Sequence, residues 1–427
     1  MMGMSAESSV ESIMEPAMES TVEPIVITGL GVTTALGDRD QSWRRLVVGE
    51  SALAMRQPFP QFPVYPLAMI GQFPVALESL VFQTAQAALA DADLLSPAAQ
   101  VQEPLRTGVV VGSSRSFQGA LERLCDLPLG EEAVADGAEF LGRAFLRALP
   151  QQSAIATAQQ FGIQGPVSAP MAACATGIWA IAQGILLLRS GQCDQVLVVT
   201  ADSPITPLCL AGFGRLKALA RDGVFPFDCD RQGLALGEGA AAFVLETESH
   251  AAQRQIKPYG RILGLGLTAD ATHMTAPDES ISGVSRALQQ CLLFREAGRR
   301  SPSSSPSASS PERPKIGYIH AHGTATRRND IQEAAVIQRY FPEGVPVSST
   351  KGATGHTLGA SGGLGVAWSL LALRHQQLPP CTGLRRADFD LDFVRAGRTQ
   401  LRTPLEAVLC LAFRFGGQNT AIALGQA

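Results

Sequence analysis

The chain has 427 residues, of which 46% are hydrophobic and 17% charged, and its formal net charge is −4. This length and composition provide a large apolar core and predict two domains or one large duplicated unit. The small negative charge gives no electrostatic support for nucleic-acid binding.

The cysteines and histidines lack the spacing of a metal site. None of the eight cysteines forms a C-x-x-C pair, and the six histidines show no H-E-x-x-H pattern. The sequence therefore predicts neither a zinc site nor a disulfide framework. Scattered free thiols indicate a reducing, cytoplasmic environment.

Two segments resemble targeting signals only superficially. Residues 1–23 are acidic and lack the basic and apolar regions of a signal peptide, so we expect a disordered lead. Gly165–Leu188 carries no charge for 24 residues, long enough to span a bilayer. Its two early prolines and its Cys-Ala-Thr-Gly turn instead favour a loop followed by a buried helix. We therefore predict no transmembrane segment.

Short apolar runs that end in glycine or small polar residues predict buried strands. They are "PIVITGLGVTTALG", "TGVVVGSS" (107–114), "DQVLVVTAD" (194–202), "AAAFVLET" (240–247), "KIGYIHAHGT" (315–324) and "AVLCLAFRFGG" (407–417). Runs without alternation, separated by helical stretches, indicate an α/β layered fold with a sheet buried on both faces. We expect its chemistry just beyond the carboxyl ends of the strands.

The glycines form neither a dinucleotide fingerprint nor a P-loop, so neither kind of nucleotide site is predicted. Residues 298–314, "GRRSPSSSPSASSPERP", are rich in serine and proline and have almost no apolar content. We expect them to form a mobile surface loop that lengthens one connection without breaking the fold.

Cys174 is a candidate nucleophile, because it lies where a loop becomes a helix that is apolar almost all round from Ile178 to Leu188. Unsatisfied N–H groups and the positive end of the helix dipole favour the thiolate at such a position. The alternative is that Cys174 is a small core residue, since buried cysteines are common. The segment alone leaves both open.

Histidines meet glycine and threonine at two further predicted loops. His322 follows a strand in "YIHAHGTAT", with His320 nearer the strand interior, and Lys351 and His356 lie in "STKGATGHTLGASGG". A nucleophilic cysteine with two histidines suits acyl transfer, in which oxyanions form and must be stabilised. A cysteine protease is disfavoured, because it needs one histidine and an orienting Asn or Asp.

Seven blocks, in order, resemble the β-ketoacyl-acyl-carrier-protein synthases, the type II elongating condensing enzymes of the thiolase superfamily. They are "VITGLGVTTALG", "AACATG", "PFDCDRQGLALGEGA", "DATHMTAPDE", "AHGTATRRNDIQEA", "STKGATGHTLGASGG" and "FRFGGQN". The resemblance implies a thiolase-like α/β fold, in which two duplicated βαβαβαββ halves form an αβαβα sandwich. We expect the halves at residues 24–265 and 266–427.

The resemblance also assigns roles to residues. Cys174 matches the nucleophile that accepts the acyl chain, and His322 and His356 match the pair that assists malonyl decarboxylation and stabilises the enolate. Lys351 matches a lysine that orders the site. Asp330 and Glu333 match acidic residues that support the family's active site from outside it.

The glycine-rich turn near the C-terminus matches the gate of the family's active site. Phe415 lies where its main-chain N–H completes an oxyanion hole with that of Cys174, and Phe413 and Gly416 belong to the gating loop. Arg414 replaces a usual glycine between the two phenylalanines, which should stiffen the gate.

The implied reaction is a ping-pong condensation of malonyl-carrier protein with an acyl group on Cys174, giving a 3-oxoacyl-carrier protein without metal or redox cofactor. The expected partners are acyl carrier protein and a second copy of the chain, although a heterodimer stays open. The alternative is a non-catalytic partner subunit resembling a chain-length factor, or a decarboxylase that only makes primers. Both are disfavoured because Cys174 is present.

Three further features depart from the family pattern. Gly365 replaces a usual glutamate near Lys351, and Arg115 stands where small residues usually line the acyl pocket. Leu67–Ala90, where the family often docks its acidic carrier, has no Lys or Arg. A basic docking patch could instead be formed by Arg215, Lys217 and Arg221, which could equally be ordinary solvated charges.

Overall fold

The computed structural model describes residues 23–98, 100–125, 136–273, 278, 280–293, 315–397, 401, 403–413 and 416–427. The expected N-terminal lead, apart from Glu23, and the expected Ser/Pro-rich loop at 298–314 lie outside this part of the chain.

The strands, in chain order, are β1 (Ile25–Thr34), β2 (Gly37–Asp38), β3 (Ala54–Arg56), β4 (Tyr65–Leu67), β5 (Thr107–Gly112), β6 (Val167–Ser168), β7 (Gln195–Asp202), β8 (Gly239–Thr247), β9 (Gly260–Ala269), β10 (Ile316–His320), β11 (Val347–Ser348), β12 (Ala407–Phe413) and β13 (Gln418–Gly425). The α-helices are α1 (Arg39–Val47), α2 (Leu77–Asp91), α3 (Gln118–Cys125), α4 (Asp136–Ala148), α5 (Gln152–Phe161), α6 (Thr176–Arg189), α7 (Pro207–Arg215), α8 (Glu248–Gln253), α9 (Ser282–Leu293), α10 (Arg327–Tyr340), α11 (Lys351–Thr354) and α12 (Ala360–His375).

The main sheet consists of two halves with the same internal order. Its strands run β11-β10-β12-β13-β9-β1-β8-β7-β5-β6. In each half two parallel pairs (β5 with β6 and β7; β10 with β11 and β12) are followed by antiparallel pairs. The halves meet at a short antiparallel contact, Val26 with Arg261 and Ile27 with Gly260. The predicted boundary after residue 265 falls inside β9, and we propose that the second half begins at Gly260.

The molecule has five layers: the two halves of the sheet, one layer of helices between them, and one layer of helices on each outer face. α6 and α12 lie between them in one buried core, which includes the fully buried Trp368. α2 and α5 pack on the outer face of the first half, and α9 and α10 on that of the second. This arrangement places the amino ends of both central helices at the same edge, just beyond the carboxyl ends of β5, β7, β10 and β12.

The six predicted runs are confirmed as β1, β5, β7, β8, β10 and β12, whereas the long strands β9 and β13 and the short strands β2, β3, β4, β6 and β11 were missed. Glycines at 260, 264 and 266 weaken the strand pattern of β9. A Cβ on Gly266 would overlap the main-chain carbonyl of Ala287 in α9, so close helix packing requires that glycine. The uncharged segment at 165–188 ends in α6, and none of the described helices is long and apolar enough to cross a membrane.

Close packing of the central helices depends on Gly177. A Cβ there would lie 2.9 Å from the carbonyl carbon of Gly362 and closer still to the N of Gly363. We expect Gly177→Ala to lower the free energy of unfolding by about 1–3 kcal/mol, because main-chain atoms cannot move aside easily. Gly212→Ala in α7 is the matched control, since no atom lies within 4 Å of its Cβ position. Equal midpoints for both variants in chemical denaturation would contradict this prediction.

Candidate active site

Cys174 lies in a tight 3-10 turn, Ala173–Ala175, immediately before α6. Ala173 has φ +44°, in the left-handed region that costs a residue with a side chain energy. The Thr176 hydroxyl fixes the turn, because it accepts from the Ala172 N–H (2.8 Å) and donates to the Ala173 carbonyl (2.6 Å). Cys174 is thus held, buried, at the amino end of the central helix.

His322 is held by a clamp on its main chain. Its N–H and that of Gly323 donate to the two carboxylate oxygens of Glu333, at 2.6 and 2.7 Å. Asn329 Nδ2 donates to the same carboxylate at 3.2 Å. Burial raises the pKa of Glu333 to about 7, against the lowering effect of these N–H donors. The loop after β10 is therefore tied to the first turns of α10.

Asp330 supports a different loop. Its Oδ2 accepts from the Phe227 N–H at 2.8 Å and lies 3.7 Å from Arg231 Nε. Phe227 has φ +61°, so this hydrogen bond holds a strained main chain. Burial raises the pKa of Asp330 to about 6. Asp330 anchors the segment around Phe227, and it does not line the pocket described below.

Lys351 lies behind His322, at the start of α11. Its Nζ donates to the His322 carbonyl and lies 3.5 Å from His322 Nδ1. Burial lowers the pKa of Lys351, and the nearby Glu333 carboxylate acts in the opposite direction. When Lys351 carries its proton it can only donate, so Nδ1 of His322 is then the acceptor and the ring proton lies on Nε2.

A hydroxyl group contacts Nδ1 of His356, as the Lys351 amino group contacts Nδ1 of His322. The main-chain N–H of His356 donates to Ala235 O at 2.7 Å, and its Nδ1 lies 2.8 Å from Ser361 Oγ. Ser361 Oγ is also 3.1 Å from Thr357 Oγ1. When Ser361 donates to Nδ1, the proton of this ring too lies on Nε2.

Both rings are neutral near pH 7. Burial, and then the Lys351 charge, lower the pKa of His322 and of His356 well below the ordinary value of about 6.5. Their ring centroids are 5.5 Å apart with planes at 82°, and the Phe413 ring lies 5.9 Å from His322. The two Nε2–H groups can therefore act as paired donors without positive charge.

One pocket is lined by both Cys174 and the two histidines. Its wall includes Cys174, His322, His356 and Phe413. The rest of the lining is polar apart from Val284 and comprises Thr324, Thr326, Arg328, Asn329, Gln332, Glu333 and Asn419. The arrangement can form a thioester on Cys174 and hydrogen-bond an oxyanion beside it.

The remaining predicted residues take other positions. Phe415 and Arg414 lie outside the described residues. Gly416 has φ +89°, which favours glycine, and does not line the pocket. His320 also points elsewhere, with Nε2 3.2 Å from Thr350 Oγ1. A Cβ on Gly365 would lie 2.9 Å from His320 Nδ1, so Gly365 makes room for that buried ring.

Sequence reasoning missed two residues that position the site. Ser361 holds His356, and the buried Asp202 carboxylate accepts from the N–H groups of Arg115 (3.0 Å) and Gly359 (2.6 Å). An acidic residue at the end of the buried run 194–202 was a usable signal for Asp202. Ser361 gave none, because serine is common at the start of a helix. Among the described residues, no group of three or more His, Cys, Asp or Glu could hold a metal ion.

The family model described as "Beta-ketoacyl synthase, N-terminal domain" matches residues 75–251, and its C-terminal counterpart matches residues 259–385. The "3-oxoacyl-[acyl-carrier-protein] synthase 2" of Coxiella burnetii is 30% identical to this chain, with 94% of this chain and 98% of that protein covered.

Two solved structures are similar over nearly the whole chain. A type II polyketide ketosynthase in complex with its acyl carrier protein has a TM-score of 0.81 and 23% identity, with 95% of this chain and 100% of that chain covered. A ketosynthase in complex with its chain length factor, from Xenorhabdus doucetiae, has a TM-score of 0.74 and 27% identity. Its alignment covers 96% of this chain and 100% of that one.

The charge on Lys351 disfavours imidazolium at both histidines. We expect Lys351→Met to raise the pKa of His322 and His356, while burial keeps both below about 6.5. Titration of ¹⁵N-histidine-labelled protein by NMR measures this directly. Lys257→Met, at an exposed lysine, is the control and should shift neither ring. Wild-type rings that protonate near pH 6.5 would contradict the prediction, as would unchanged values in Lys351→Met.

Proposed function

This chain belongs to the β-ketoacyl synthase family and is a condensing acyltransferase of fatty-acid or polyketide synthesis, and on that basis we propose a role for each residue of its site. The thiolase-like fold predicted from the sequence is confirmed. The observation that carries the proposal is that Cys174, His322 and His356 line one buried pocket.

In the first half-reaction the Cys174 sulfur attacks the carbonyl carbon of an acyl thioester. The bond between that carbon and the carrier's sulfur breaks, and the thiol proton leaves with the carrier thiolate. The position of Cys174 before α6 supports this role, because the helix dipole favours the thiolate. The chain is then left as an acyl-Cys174 thioester.

In the second half-reaction a malonyl thioester loses CO₂. The electron pair of the broken C–C bond becomes an enolate, whose oxygen accepts hydrogen bonds from Nε2–H of His322 and His356. The enolate carbon attacks the acyl carbonyl carbon, the bond to Cys174 Sγ breaks, and a 3-oxoacyl thioester leaves. Only protons and electron pairs move, so no redox partner is consumed.

Lys351, Glu333 and Ser361 act as positioning residues in this scheme. Lys351 and Ser361 hold the two Nδ1 atoms as acceptors, so that both Nε2–H groups face the pocket. Glu333 fixes the main chain at His322. Asp330 acts at greater distance, through Phe227. Phe413 forms one wall of the pocket beside His322, which is consistent with a gate.

We propose acyl carrier protein as the donor partner, since a similar ketosynthase is found in complex with its own carrier. Arg328 lines the pocket and, like Arg327, is exposed at the start of α10, where an acidic carrier could dock. Arg215, Lys217 and Arg221 are also exposed and remain a second candidate patch.

A dimer is proposed as well, and its composition is open. A homodimer was expected from the resemblance, and a similar ketosynthase pairs with a chain length factor. The reading of this chain as the non-catalytic partner is not favoured, because Cys174 and both histidines are present in one pocket. Eight free cysteines support a reducing, cytoplasmic location.

Acylation of Cys174 is the first test of the proposal. We expect intact-mass spectrometry to show a single acyl adduct after incubation with acyl-carrier proteins, followed by a 3-oxoacyl product when malonyl-carrier protein is added. Cys174→Ala should abolish the adduct. Cys209→Ala should retain it, because Cys209 lies in the same apolar cluster but burial raises the pKa of its thiol. An adduct that persists in Cys174→Ala would refute the assignment of the nucleophile.

Ser361 provides a test of the paired-donor arrangement. We expect Ser361→Ala to lower kcat for malonyl decarboxylation about fivefold, with little change in KM, because one positioning hydrogen bond contributes about 1 kcal/mol. Ser369→Ala is the matched control, since that buried serine of α12 donates to the Gly365 carbonyl, at 2.8 Å, and does not line the pocket. A loss of the same size in both variants would point to helix stability instead.

A further inference from the structure

Arg115 lies at the same edge of the sheet as the nucleophile. It is the third residue after β5, and Gly112 at the end of that strand packs against Thr176 beside Cys174, with 2.8 Å from its Cβ position to Thr176 Cγ2. The main chain of the loop is fixed, because Ser114 and Arg115 both donate N–H groups to the Asp202 carboxylate. Arg115 is therefore held in a defined place near the pocket.

The guanidinium group borders the apolar surroundings of Cys174. Its Cζ lies 5.8 Å from the ring centroid of Phe213. Phe213 and Cys174 belong to one contiguous buried cluster, which also contains Cys209, Leu210 and Leu358. An acyl chain on Cys174 Sγ that extended along this cluster would reach Phe213, which Arg115 borders.

Two neighbouring polar atoms there lack partners. Arg115 Nε and Ser116 Oγ are both buried and make no hydrogen bond to any residue that the structure describes. Within the described chain, no carboxylate forms an ion pair with Arg115, and Glu122 is already occupied by Gln118, Thr206 and the Leu208 N–H. A buried polar group without a partner destabilises the fold, because it has lost its hydrogen bonds to water. Unpaired buried groups of this kind are expected at a binding site, where a bound ligand supplies the missing acceptor.

We propose that Arg115 and Ser116 select acyl chains whose far end carries an oxygen acceptor, above all a carboxylate. This inference rests on the proposed role of Cys174 as the acyl carrier. A guanidinium group pairs with a carboxylate by charge-assisted hydrogen bonds, and a hydroxyl can donate to the same group. A chain ending in a methyl group leaves both polar atoms unsatisfied and gains nothing from them.

The test compares acyl-carrier proteins whose chains match in length and end in a methyl, a hydroxyl or a carboxylate group. The rate of Cys174 acylation is measured by intact mass for each donor. We expect the wild type to favour the carboxylate chain and Arg115→Met to lower the carboxylate-to-methyl rate ratio at least tenfold. Arg115→Lys should keep part of the ratio, since it keeps the charge, and Ser116→Ala should reduce it less than Arg115→Met does.

Arg123→Met is the matched control, because this exposed arginine of α3 does not border the Cys174 cluster, and it should leave the ratio unchanged. A preference for methyl-ended chains in the wild type, or equal changes for every donor in Arg115→Met, overturns the proposal. Dissociation of the dimer in Arg115→Met with an unchanged ratio also overturns it and assigns the guanidinium to a second copy of the chain. No adduct from any donor in the wild type refutes the proposed function itself.

Discussion

Hydrogen bonds from main-chain N–H groups to buried carboxylates hold this site together. Glu333 fixes the loop that carries His322, and Asp202 joins the loop after β5 to Gly359, three residues beyond His356. A buried carboxylate is costly unless its oxygens are satisfied, and several N–H groups supply that compensation. Segments far apart in the chain are therefore held in fixed positions relative to one another.

The same burial sets the electrostatics of the reaction. Desolvation keeps His322 and His356 neutral, and the Lys351 charge acts in the same direction. Neutral rings can stabilise a developing enolate with Nε2–H groups while their Nδ1 atoms accept from Lys351 and Ser361. The pocket therefore combines donors of fixed orientation with a low dielectric, the condition under which hydrogen bonds to an oxyanion are strongest.

Close packing of α6 against α12 places residues from both halves of the molecule in one site. Cys174 precedes α6 in the first half, and His356 precedes α12 in the second. Gly177 and Gly362 let the two helices meet at main-chain distance, just beside these residues, and Gly363 gives the same close approach of α12 to Thr200 of β7. A side chain at this crossing would overlap main-chain atoms of the facing helix, so the packing of the core and the relative position of Cys174 and His356 depend on the same glycines.

Apolar runs and short motifs determined much of this protein by themselves. They identified strands that are buried on both faces, and they predicted Cys174, His322, His356 and Lys351 as site residues, because strand patterns and helix starts are local properties of the chain. The tertiary structure alone decided the place of β9 and β13 at the middle of the sheet, since Gly266 of β9 suits close contact with Ala287 of α9 and Gly425 of β13 suits contact with Leu263 of β9. It also decided that Asp202 binds Gly359, 157 residues away, and that Arg115 borders Phe213. Such contacts depend on how distant segments pack, and no local pattern in the sequence records them.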